Sequence, residues 1–118
     1  MQYEVKTFDI GELEGISSKT IEEHLGLYKG YVTHVNHIRA ELANVTDGYA
    51  KAEMQRRLGF EFGGMKNHEY YFAQFEGGAS EILDGDFKTL LEDQFGSTDA
   101  FIEHVRNIAM TRGVGWAM

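Results

Sequence analysis

Two histidines, His24 and His68, each fall on the apolar stripe of a stretch with helical spacing. A buried neutral imidazole is a good ligand for iron, manganese or zinc. Taken singly, a histidine in such a place is more often a hydrogen-bonded core residue than a ligand. Two of them on facing stripes narrow that difference, because both rings can then address one interior point. Tyr31 lies seven residues after His24, two turns on and so on the same helix face. A phenol there can guide protons to whatever the imidazoles hold, or serve as a core aromatic with its hydroxyl at the rim. His34 and His37 form an i,i+3 pair off the stripe, where a solvated face is expected. His104 borders a later stripe and reads as a packing residue.

Two long helices must carry these groups. The spacing predicts the first from Ser17 or Ser18, either of which can cap it, to near Asn44. Ile21, His24, Leu25, Tyr28, Tyr31, Val32, Val35, Ile38 and Leu42 form its stripe. The second is expected from about Ala50 to Phe75, with Met54, Leu58, Phe62, Met65, His68, Phe72 and Phe75 facing inward. Gly63-Gly64 inside it costs about 1 kcal/mol per glycine against alanine, which points to a close approach to the backbone. A short connection makes the two an antiparallel hairpin. Residues 1–16 lack periodicity and are expected as an extended arm. A third helix runs to Phe95, stopped by Gly96, and a fourth from Ser97 to about Arg112-Gly113. Val114-Gly115-Trp116-Ala117-Met118 alternates like a strand. The expectation is a mainly α chain: a hairpin domain over 1–78, then two further helices and the first strand of an incomplete α+β domain over 79–118. A lone strand leaves its ladder groups unsatisfied, which itself suggests that pairing segments lie elsewhere.

Composition narrows the function classes. The 118 residues include no cysteine, which excludes disulfides and thiolate metal sites, and the formal charge is −8. That charge argues against nucleic-acid binding, and would require a local positive patch to steer any anionic substrate. No apolar run approaches the roughly 20 residues of a membrane span, and the N-terminus has no signal-peptide pattern. A cytoplasmic location is therefore expected. His68-Glu69 opens a zincin-like string, but Phe72 stands where a second histidine belongs. No histidine follows a glutamate by three residues, so the ligand signature of di-iron bundles is missing. Phosphate loops and nucleophile elbows are also absent.

Three segments together resemble the iron/manganese superoxide dismutase family. Ile21-Glu22-Glu23-His24-Leu25-Gly26-Leu27-Tyr28-Lys29-Gly30-Tyr31-Val32 is similar to the family's first helix, with its first metal-binding histidine and its gateway tyrosine. Gly63-Gly64-Met65-Lys66-Asn67-His68-Glu69-Tyr70-Tyr71-Phe72 resembles the Asn-His-x-x-aromatic-aromatic signature. Phe95-Gly96-Ser97 and Gly115-Trp116-Ala117 follow in the family's order. The resemblance implies dismutation of superoxide at one iron or manganese ion. It makes His24 and His68 ligands and Tyr31 the gateway, with Phe72 and Trp116 lining the site. A gapless match would put Glu23 at the first ligand position. His24 is taken instead because the family's ligand there is imidazole and His24 lies on the stripe. Gly64, four residues before His68, accompanies in many members a glutamine from the other half, an arrangement that leans toward manganese.

Family members continue past Gly-Trp-Ala to an Asp-x-x-x-His segment that supplies two more ligands, and this sequence contains none. The implied chain thus supplies two of four protein ligands and is expected to be inactive alone. Its partners would be superoxide and either a second copy in a dimer or a complementing C-terminal chain. A helical interaction module without catalysis is the other class that the sequence leaves open.

Overall fold

The computed structural model describes residues 2–118; Met1, the first residue of the expected arm, lies outside them. These residues divide between Gly78 and Ala79 into two compact units.

The first unit is built on two helices, α1 (Ser18–Glu41) and α2 (Gly48–Ala73). Ser17 caps α1, its Oγ accepting the Thr20 N–H at 3.1 Å. Asp47 caps α2, its Oδ1 accepting the Ala50 N–H at 2.8 Å. Each oxygen satisfies a donor that the first helical turn cannot. α1 closes in a turn over 42–44, three residues short of the expected end. The short link makes the pair antiparallel, which shows in the descending partners: His24 meets Phe72, Tyr28 meets Glu69, and His34 meets Glu61. Tyr28, Val32, Val35, Met65 and Phe72 form the buried core.

The arm before α1 is tied down along its length. Tyr3 and Asn36 exchange two hydrogen bonds of 2.8 Å, backbone N–H to Oδ1 and Nδ2 to backbone carbonyl. The Lys6 N–H donates to the Tyr28 hydroxyl at 3.0 Å, and the Asp9 N–H to Glu76 Oε1 at 2.9 Å. A side-chain edge on the hairpin thus replaces the ladder an extended segment would otherwise need. Phe8 lies against Tyr28 and Phe72, with ring centroids 5.9 and 5.4 Å apart. The arm ends in a tight turn bridging Leu13 and Ile16, where Gly15 takes a φ of 80°.

The second unit holds α3 (Asp86–Phe95) and α4 (Thr98–Ala109). Gly96, at φ 87°, turns the chain between them, and Ser97 caps α4. Phe95 packs on Phe101 and His104, at 5.2 and 5.4 Å. α4 ends at Ala109 rather than near Arg112. The strand expected over 114–118 is not formed: those residues are bend and coil, with Val114 and Met118 fully exposed. A strand exists only against another edge, and no second strand is present among the described residues.

Candidate metal centre

The antiparallel register puts His24 of α1 beside His68 of α2. Their ring centroids are 4.8 Å apart and the rings stand nearly edge to face, at 78°. His68 is almost fully buried, and its Nδ1 lies 2.6 Å from the Gly64 carbonyl oxygen one turn back. A carbonyl only accepts, so Nδ1 carries the proton and the ring lone pair is at Nε2. That is the tautomer and anchoring characteristic of a metal-ligating histidine. Burial, and secondarily the neighbouring His68, hold the His24 pKa below its ordinary value and favour the neutral ring. Neutral imidazole is the form that binds a metal.

Aromatic rings enclose the pair. Phe72, fully buried, faces His24 at 5.1 Å and His68 at 6.1 Å. Tyr71 packs on His24 at 5.1 Å. Tyr31 lies against His68 at 5.0 Å. Gly64 makes that placement possible. A Cβ there would stand 2.4 Å from Tyr31 Cε1, so the ring occupies the space a side chain would fill. Glu23 is exposed on α1 and pairs loosely with Lys19 at 3.8 Å, so it plays no part in this cluster. Trp116 belongs to the second unit, where it is 37% exposed.

Tyr31 also borders an open cavity of about 270 Å³, lined by Gly26, Gly30, His34, Arg57, Phe60 and Glu61 among others. The two glycines leave its wall low. Arg57 lies over the Phe60 ring at 4.7 Å and donates from Nε to Glu61 Oε1 at 2.7 Å. The Arg57 guanidinium and the Glu61 carboxylate are in contact and offset each other's charge. The steering patch that an acidic protein would need for an anion is not formed here.

Two buried carboxylates escaped the stripe reading. Glu61, 1% exposed, is held by Arg57 and by His34 Nδ1 at 3.3 Å. Glu69, 6% exposed, receives Lys6 Nζ and Lys66 Nζ, each at 2.9 Å, and the Tyr28 hydroxyl at 3.4 Å. Burial pushes the Glu69 carboxyl up, but the hydrogen bonds and charges of Lys6 and Lys66 together outweigh it and leave its pKa lowered. Their only sequence signal is the helical ion-pair spacing, Arg57 with Glu61 and Lys66 with Glu69. Among the described residues, no group of three or more His, Cys, Asp or Glu side chains converges on a metal position. The centre therefore offers two imidazole nitrogens and no carboxylate.

Curated proteins similar to this chain were found. The chain is 31% identical over 117 residues to the mitochondrial manganese superoxide dismutase of Glossina morsitans morsitans, covering 92% of the chain and 53% of that protein. It is 31% identical over 116 residues to the iron superoxide dismutase of Aquifex pyrophilus, covering 90% and 54%. It is 31% identical over 117 residues to the manganese superoxide dismutase of Mycolicibacterium fortuitum, covering 94% and 56%. The chain spans about half the length of these curated relatives. No family model and no solved structure matches it.

Proposed function

We propose, from the premise that this chain belongs to the iron/manganese superoxide dismutase family, that it supplies one half of a mononuclear dismutase centre. His24 and His68 would be its ligands and Tyr31 its gateway. The observation that carries this reading is the His24–His68 pair, with His68 anchored through Nδ1 and Tyr31 laid against it. The donor set fits iron or manganese as part of a coordination sphere, since imidazole suits both. When bound, the ion supplies the one-electron chemistry that oxidises one superoxide to dioxygen and reduces another, with two protons, to hydrogen peroxide.

The chain's own residues do the rest. The Gly64 carbonyl fixes the His68 tautomer. Phe72 and Tyr71 keep water from the inner side of the rings. Tyr31, between the cavity and His68, presents a phenol to a small anion on its way in and can pass protons toward it. Phe72 would complete the lining.

Two neutral imidazoles do not offset the charge of a metal cation. Tight binding therefore calls for a carboxylate and further imidazole from a polypeptide segment other than these residues. No helix of the described residues is long and apolar enough to cross a membrane. The test is metal content and dismutase activity of the chain, of its His24→Ala and His68→Ala variants, and of each mixed with the C-terminal half of a family member. Weak binding by the chain, lost in both variants, and activity only in the histidine-dependent mixture are expected. Full metal loading and full activity of the chain alone, or binding indifferent to both histidines, would overturn the reading.

A further inference from the structure

Glu69 is one residue beyond His68 but belongs to a different junction. Its carboxylate is buried and is met by a donor from every element of the first unit: Lys6 Nζ from the arm, the Tyr28 hydroxyl from α1 and Lys66 Nζ from α2. The Tyr28 hydroxyl, itself fully buried, simultaneously accepts the backbone N–H of Lys6. The arm is therefore clasped at Lys6 by both its main chain and its side chain. Two residues on, Phe8 seats against Tyr28 and Phe72. Phe72 faces both imidazoles. Arm, Phe8, Phe72 and the histidine pair thus form one continuous packed series.

We infer that Glu69 is a positioning residue for the histidine pair: by clasping the N-terminal arm at Lys6 and Tyr28, it seats Phe8 behind Phe72 and so sets the spacing of His24 and His68. The inference rests on the reading of those histidines as ligands. A buried carboxylate with all its donors present locks its neighbours, whereas losing it leaves the Tyr28 hydroxyl and the Lys6 ammonium without their common partner. Because close packing transmits displacement, a loosened Phe8 is felt at Phe72 and at the two rings.

The experiment uses the 118-residue chain in solution, with Glu69→Gln, Lys6→Met and Lys6→Arg variants. The metal-free readouts are amide exchange of residues 6–9 and the nuclear Overhauser contact between the His24 and His68 rings. The metal readout is Co²⁺ titration. Glu69→Gln is expected to keep the helical circular dichroism, to speed exchange of the arm amides about tenfold, and to weaken the ring-to-ring contact. Co²⁺ affinity should fall about tenfold, the lower end for loss of an outer partner of a ligand. Lys6→Met should move every reading the same way by less, and Lys6→Arg should restore them. Arm amides that exchange faster while the ring contact and Co²⁺ affinity stay unchanged would overturn the inference. Should Glu69→Gln not fold, Lys6→Met against Lys6→Arg decides the matter by the same readings. Co²⁺ binding indifferent to His24→Ala would defeat the metal reading alone, since the ring contact, measured without metal, still decides positioning.

Discussion

Gly63 and Gly64 look alike in the sequence but differ in what surrounds them. A Cβ at Gly63 meets nothing within 4 Å, whereas one at Gly64 would lie 2.4 and 2.5 Å from the Tyr31 ring. Gly63→Ala should therefore stabilise the chain by up to about 1 kcal/mol through helix propensity. Gly64→Ala gains the same propensity but overpacks a rigid ring, so a net loss of about 1–3 kcal/mol is expected, with Tyr31 displaced from His68. Urea midpoints of the two variants, with opposite signs, check this. His24 gives a pH dependence. Burial, then His68, lowers its folded pKa below the ordinary value of about 6.5. The unfolded chain thus binds a proton that the folded chain resists. Stability is fully present above about pH 6.5 and is lost as pH falls from there through the folded value. His24→Gln should show a smaller decline between pH 8 and 5 than the unsubstituted chain. The histidine pair was legible because helical periodicity alone aligned both rings on apolar stripes. Glu61 and Glu69 were not, because a carboxylate is read as solvated until its partners from other elements are seen, His34 at Glu61 and Lys6 and Tyr28 at Glu69.

At the scale of elements, the caps did most to make the helices readable. Ser17 and Ser97 were both visible as starts in the sequence, and each accepts the N–H three residues on. Asp47 does the same for α2, which begins two residues before the expected Ala50. Asp47→Ala should lower stability by about 1 kcal/mol, read from thermal unfolding, with Asp47→Asn close to neutral. Helix ends were less legible, as fraying turns carry little periodicity. The arm was foreseen only as extended. What fixes it is a set of long-range side-chain partners, Asn36, Tyr28, Glu69 and Glu76, which no local pattern specifies. The absent strand has the same cause in reverse. Alternation at 114–118 states a preference for two faces, but pairing needs an edge that these residues do not provide for themselves.

Across the whole molecule, burial is unevenly shared between the two units. The first has a contiguous core from Tyr28 to Phe72 with the arm packed on it. In the second, Leu91 is the buried hydrophobic residue, and α4 buries none of its side chains, with Ile102, Val105 and Ile108 all exposed. α4 has a clearly apolar face, so its helical pattern could be read from sequence, but a pattern does not say whether anything covers it. Opening free energy follows buried apolar contact, so the second unit should open far more readily than the first. The junction lies among Gly77 and Gly78, both at positive φ, followed by residues without regular structure through Leu83, all exposed but the half-buried Ile82. Such segments are preferred cleavage sites. Brief digestion with a protease of broad specificity should therefore cut first within 79–85 and 110–118, leaving a resistant fragment close to residues 2–78. Amides of α4 should exchange at least about a hundredfold faster than those of Val32, Val35 and Met65, as a difference of roughly 3 kcal/mol in local opening implies. Mass spectrometry of the digest and of the exchanged chain checks both. Equal protection of α4 and the hairpin would mean that the apolar face of α4 is covered in solution, and that the two units unfold as one.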